Sequence, residues 1–232
     1  MAVENGNDGR SLAWALDHPG CFIYGNDEGE VILNLPLAFL RYTEWIACHT
    51  RKSWLKSGNP DIRLVEVWQC YSINDEYQVA DDGIEVNAWF RDDWRPLTLK
   101  EVERGNQLLT WSREDLLQSA QPLTSEQLTW NRPEFERWTI ERILQHIANA
   151  EWWYLDRLGL APWGKSDLPE DPFDRLAFVR NHVMQVLNEL AGVDKVEGKA
   201  GEFWSPRKLL RRLLYHERDH IEHIMQILSE CH

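Results

Sequence analysis

Leu209-Leu210-Arg211-Arg212-Leu213-Leu214-Tyr215-His216-Glu217-Arg218-Asp219-His220, running on to Ile224 and Ile227, decides how the second half of this chain folds. At 100° per residue, Leu209, Leu213, Ile224 and Ile227 fall in one narrow helical sector, and His216 and His220 fall inside it. The spacing predicts an amphipathic helix whose buried stripe carries two imidazoles one turn apart. A buried imidazole without a partner costs about 1 to 3 kcal/mol, so the pair asks for one. Metal ligation supplies it. Two neutral imidazoles at i and i+4 can reach a single ion, and zinc or a similar borderline divalent metal takes nitrogen at about 2.0 to 2.1 Å. His223, one turn on, reads as a surface residue.

A pair of ligands needs company from elsewhere, and the chain ends at His232, so an additional ligand is expected mostly from upstream. Thr139 to Leu158 is a second amphipathic run, with Ile140, Ile143, Ile147, Ala150 and Tyr154 as its stripe and His146 beside it. A lone flanking histidine is usually structural. Next to the His216/His220 pair, His146 becomes the third candidate ligand.

His216 to His220 also spells His-Glu-x-x-His, the pattern in which two histidines hold zinc and the glutamate activates water for peptide hydrolysis. No third ligand follows at the usual downstream distances, and no Gly-x-x-His continuation appears, so a protease is disfavoured. Glu217 sits about 100° from His216, at the margin of the stripe. It is the first candidate for proton handling, as a general base or as an acceptor behind the ligands, and a surface glutamate is the plain alternative.

Trp138-Thr139-Ile140-Glu141-Arg142-Ile143-Leu144-Gln145-His146-Ile147-Ala148-Asn149-Ala150-Glu151, followed by a late helix with His216-x-x-x-His220, resembles the DinB-like superfamily over residues 96–230. The resemblance implies a four-helix bundle with a three-histidine site for a divalent metal, zinc first, with nickel and manganese as alternatives. His146 then matches the family's ligand on its second helix, and His216 and His220 match the pair on its fourth. Members with known chemistry are mostly thiol-dependent transferases or isomerases using mycothiol, bacillithiol or glutathione, so a low-molecular-weight thiol is the cosubstrate implied.

The bundle's helices announce themselves by their caps. Thr98-Leu99-Lys100-Glu101 is a capping box that starts a helix running to about Ala120; the breaker Asn131-Arg132-Pro133 precedes the second helix. Asp171-Pro172 and Ser205-Pro206 each put a capping side chain before proline at the first helical position, starting the third and fourth. The loops around the third helix are long enough to cross the bundle end and shape a site.

Residues 1–95 read differently, with strand-like runs at Leu12 to Leu16, Cys21 to Tyr24, Val65 to Tyr71 and Ile84 to Phe90, and a helical stretch from Val31 to His49 that Pro36 starts or kinks. His18-Pro19-Gly20-Cys21-Phe22-Ile23-Tyr24-Gly25 with the helix after it resembles the HicB-like fold, over residues 10–92. That resemblance implies a partner-binding or dimerising module. The fold class is therefore α+β overall: a small α+β module, 1–95, then an all-α bundle, 96–232, joined at Asp92-Asp93-Trp94-Arg95-Pro96.

A formal charge of −13 argues against nucleic acid as the main partner, because phosphate binding draws on clustered lysine and arginine. Arg207-Lys208 and Arg211-Arg212 read as a solvated helix face, with a grip on the carboxylates of an acidic thiol as the alternative. Most of the 13 tryptophans read as packing residues, while Trp152, Trp153, Trp163 and Trp204 lie where a pocket could be lined. No apolar run approaches the ~20 residues a membrane helix needs. Met1 to Arg10 has no apolar signal region, and the four cysteines, with no C-x-x-C, suit free thiols, so the expected setting is the cytoplasm. Bundles of this kind often dimerise, which makes a homodimer one expectation. Two functions of different class follow: a metal-dependent thiol S-transferase or isomerase acting on a small electrophile, or a non-enzymatic sensor whose front module holds a partner. A metal-dependent hydrolase stands behind both.

Overall fold

The computed structural model describes residues 1–55, 60–131 and 138–230. Two compact units emerge, and the division is not a single cut: Met1–Arg95 clusters with Val196–Arg211, and Pro96–Lys195 clusters with Arg212–His232.

In the first unit, β1 (Ala2–Asn5), β2 (Ser11–Trp14) and β3 (Phe22–Gly25) form an antiparallel meander, followed by helix α1 (Glu28–His49) and strand β4 (Glu66–Gln69). The crossover through α1 lays β4 parallel to β1, with Val3 opposite Val67 on one side and Ala13 on the other, giving the order β3-β2-β1-β4. Val3 and Ala13 pack against Val31, Leu35 and Ala38 of α1, so the sheet buries one face on the helix. Strand β1 lies ahead of Leu12 to Leu16, the first strand-like run read from the sequence. Pro36 is inside α1, on its exposed side, where the missing N–H is borne at the surface instead of in the core. A pair β5 (Ser72–Ile73) and β6 (Ile84–Glu85) follows.

The sequence puts everything after residue 95 in the bundle; the structure returns 196–211 to the first unit. Strands β7 (Glu197–Lys199) and β8 (Glu202–Trp204) form a hairpin whose two linking residues, Ala200 and Gly201, have φ of 51° and 78°, as a tight primed turn requires. Glu202 accepts from the Asn87 backbone N–H at 2.8 Å and from the Trp204 indole at 2.8 Å. The basic run at the start of the last helix is not a solvated face: Arg207, Lys208 and Arg211 are all buried. Arg211 donates to Asp93 at 2.6 Å and lies over the rings of Trp14 and Phe90, while the Lys208 ammonium donates to the carbonyls of Asn87 and Phe203 and lies over Trp204. Asn87 and Asp93 come from far along the chain, which is why this basic run misleads.

The second unit holds α2 (Leu99–Ala120), a short α3 (Ser125–Thr129), α4 (Ile140–Arg157), α5 (Pro172–Glu189) and the body of α6 (Pro206–Glu230). The caps expected for α2, α5 and α6 are present, for Thr98 Oγ1 accepts from Glu101 N while Glu101 accepts from Thr98 N, Asp171 caps α5 ahead of Pro172, and Ser205 Oγ accepts from Lys208 N; Thr139 caps α4. Arg132 and Pro133 of the expected breaker lie outside the described residues. The core is built from Leu109 and Leu116, Ile143 and Ile147, Leu176 and Val183, and Leu213 and Ile224, one apolar stripe from each long helix. Among the described residues no helix is long and apolar enough to cross a membrane.

Candidate metal centre

Helix α4 brings His146 and helix α6 brings His216 and His220 to one place, where a ligand nitrogen from each lies within 4.8 Å of the others. His146 Nε2 and His216 Nε2 are 3.0 Å apart, one neutral imidazole donating to the other. That spacing already suits joint ligation, since bonds of about 2.0 to 2.1 Å put neighbouring ligand nitrogens about 3.0 to 3.4 Å apart. The ring of His220 stands 5.0 Å from that of His146 and 4.5 Å from that of His216, centroid to centroid. Among the described residues its Nδ1 is buried without a hydrogen-bond partner. A buried imidazole nitrogen left unpaired beside two others is what a cation would satisfy, and the all-nitrogen donor set suits zinc or a similar ion.

The imidazoles are held neutral. Burial pushes His216 well below the ordinary histidine range, reinforced by its two neighbours and by Arg212. His220 is pushed down to about 3 by burial, then by His146 and His223. His146 is lowered by burial and by Lys165. Neutral imidazole is the ligating form, so no proton need be displaced at neutral pH. The His223 ring lies 5.9 Å from that of His220, tilted by 32°, and is not part of the cluster.

Aromatic rings frame the triad. Trp138 meets His146 edge-on at 4.4 Å and lies roughly parallel to His220 at 6.3 Å, and Tyr154 stands edge-on to His216 at 6.0 Å. Of the tryptophans expected near a pocket, Trp204 is fully buried in the first unit, and the Trp152 indole donates to the Trp163 carbonyl at 3.0 Å.

Glu217 is fully buried, and its carboxylate is occupied: Oε1 accepts from Arg113 Nε at 2.6 Å and Oε2 from Arg180 at 2.7 Å. Burial alone would raise its pKa, yet the two arginines hold it below the ordinary carboxylate value. Arg113 also donates to Glu151 at 2.9 Å, and Arg180 donates to the same Glu151 oxygen. Sequence reasoning missed Arg113, Glu151 and Arg180 as a group, although each stands four residues after a core residue (Leu109, Ile147, Leu176) and three before another (Leu116, Tyr154, Val183). A charge at a core position of the helical period was the available signal.

A family model of the DinB superfamily matches residues 108–224, which span helices α2 to α6 and include all three histidines. The chain belongs to the DinB superfamily. No curated protein matches it, and no solved structure does.

Proposed function

We propose that this chain binds a divalent metal through His146, His216 and His220 and uses it in a thiol S-transfer or isomerisation on a small electrophile. The observation that carries the reading is the convergence of ligand nitrogens from three neutral imidazoles on two core helices, with His220 Nδ1 buried and unpartnered among the described residues. A bound ion there would supply a Lewis-acid position that lowers the pKa of a coordinated thiol or water. The three histidines carry no negative charge of their own, so the site favours an anionic further ligand, thiolate or hydroxide. Trp138 and Tyr154 offer apolar faces beside it, suited to excluding water from the reacting groups. With both oxygens engaged by arginine, Glu217 acts as a positioning residue in this reading, and the proton leaves with solvent.

Metal content of the untagged protein, by elemental analysis, is the first test, with about one divalent ion per chain expected. Thiol consumption in the presence of a small electrophile is then compared between metal-loaded protein, metal-free protein and His220→Ala. Acceleration confined to the loaded wild type supports transfer. Equal rates in all three remove it and leave a metal-binding scaffold.

A further inference from the structure

Arg113 on α2, Glu151 on α4, Arg180 on α5 and Glu217 on α6 form a closed layer of two cations and two anions, one from each long helix, all buried. Each arginine also donates to a backbone carbonyl of the other's helix: Arg113 to Leu176 on α5 at 2.8 Å, and Arg180 to Leu109 on α2 at 2.6 Å. The acceptor in each case lies one turn before the partner arginine, so α2 and α5 are locked reciprocally.

Such a layer is a poor device for stability. Desolvating buried charges costs more than their attraction commonly returns, and apolar residues of like volume often serve as well or better. This layer is moreover incompletely satisfied, for Glu151 Oε2 and Arg180 Nε have no hydrogen-bond partner among the described residues. What a planar guanidinium fork does supply is geometry, because paired N–H donors fix the rotation and the height of the helices that meet there. Apolar stripes tolerate sliding by a fraction of a turn. A metal site does not, since ligand distances must hold to about 0.2 Å.

The layer adjoins the histidines along both ligand helices. Glu217 follows His216 directly, and Glu151 lies five residues beyond His146, about 7.5 Å along the helix axis. We propose that the Arg113–Glu151–Arg180–Glu217 layer is the positioning element of the histidine site, setting α4 against α6 so that His146 meets His216 and His220 at ligating distance. The inference rests on the metal-binding reading above.

Cobalt(II) alone is the probe, because its visible spectrum reports coordination while titration gives affinity. In the full chain, replacing the whole layer (Arg113→Met, Glu151→Leu, Arg180→Met, Glu217→Leu) removes all four charges without leaving one of them unpaired. The expected result is a helical, cooperatively melting protein that binds cobalt at least about tenfold more weakly, with an altered spectrum. Wild-type affinity and spectrum in the folded variant would overturn the inference, and so would failure of the variant to fold, since the layer would then be holding the fold itself. Arg180→Lys keeps the charge and loses the fork; it is expected to weaken cobalt binding with helicity retained, and an unchanged affinity would again overturn the positioning role. A wild-type chain that does not bind cobalt sinks the metal-binding reading instead, a result distinct from unchanged binding in the variants.

Discussion

Both units bury charged side chains of α6, and they do so in different ways. In the first, Lys208 is met mainly by carbonyls and by the face of Trp204, and Arg211 by one carboxylate and two rings. In the second, Glu217 belongs to a layer in which two carboxylates answer two guanidinia. The difference teaches that charge on a helix does not by itself mean solvent. What matters is whether the residue falls on the apolar period and what distant segments bring to it. Cations can use carbonyls and aromatic faces that any core supplies. Anions need donors, and in the second unit arginines provide them.

The largest effects are expected at the triad, where three partly buried imidazoles converge. His216→Ala or His220→Ala should abolish stoichiometric zinc binding while the bundle still folds, read by calorimetric titration and circular dichroism. Native-strength binding in both variants would break the comparison at its functional end. Next comes the charge layer. Glu217→Leu leaves Arg113 and Arg180 sharing one carboxylate in the core, and breaking a buried pair from one side costs about 3 to 5 kcal/mol. Chemical denaturation should show that loss, whereas exchanging all four charges for apolar residues should cost far less.

How much of this was legible in the sequence follows the same line. The four long bundle helices, their caps and the three histidines could be read because each depends on local spacing: Thr98 with Glu101, Asp171 with Pro172, His216 with His220. The layer was half legible. Arg113, Glu151 and Arg180 stand at core positions of their own helices, but nothing local says that they meet. Glu217 drew attention as a neighbour of His216, and its partners lie on other helices. The return of the 196–211 hairpin to the first unit was not legible at all, because it rests on Glu202 meeting Asn87 and Arg211 meeting Asp93, pairings more than a hundred residues apart. Strand β1 was hidden for a similar reason. Its four residues, Ala2–Asn5, are too few to show a period, and they become a strand by lying between β2 and β4.

A smaller effect sharpens the contrast within α6. Lys208→Met should keep the packing against Trp204 while leaving the carbonyls of Asn87 and Phe203 short of a donor, at a cost of about 1 to 3 kcal/mol. The Glu202 carboxylate is 3.9 Å away and already accepts from Asn87 and Trp204, so it keeps donors when the ammonium is removed. A loss as large as that of Glu217→Leu would show that the ammonium is an ion-pair partner after all, and the distinction between the units would fall.

The smallest expected effect concerns Asp92, where the first unit holds a carboxylate without fully compensating it. Burial is the largest influence on this group and raises its pKa above the ordinary 3.8; Arg207 and Arg95 pull it down, and Asp93 adds to the rise. Glu217 lies on the other side of its ordinary value, because two buried arginines outweigh its burial. For Asp92 the folded chain holds its proton more tightly than the unfolded chain does. Between pH 3.8 and the raised folded value the native state therefore binds more protons, so stability declines as pH rises through that window and stays lower at neutral pH. Asp92→Asn removes the ionisation and keeps an acceptor for the Arg95 Nε–H, which donates to Asp92 Oδ1 at 2.7 Å. Because Arg95 is itself half-exposed, the gain at pH 7 should be small, under about 1 kcal/mol. Thermal melts of the two proteins should converge as pH falls below 3.8, where wild-type Asp92 is protonated in both states. A variant less stable than wild type at pH 7, with the gap closing in acid, would reverse the sign and show that the first unit compensates its buried carboxylate as thoroughly as the second.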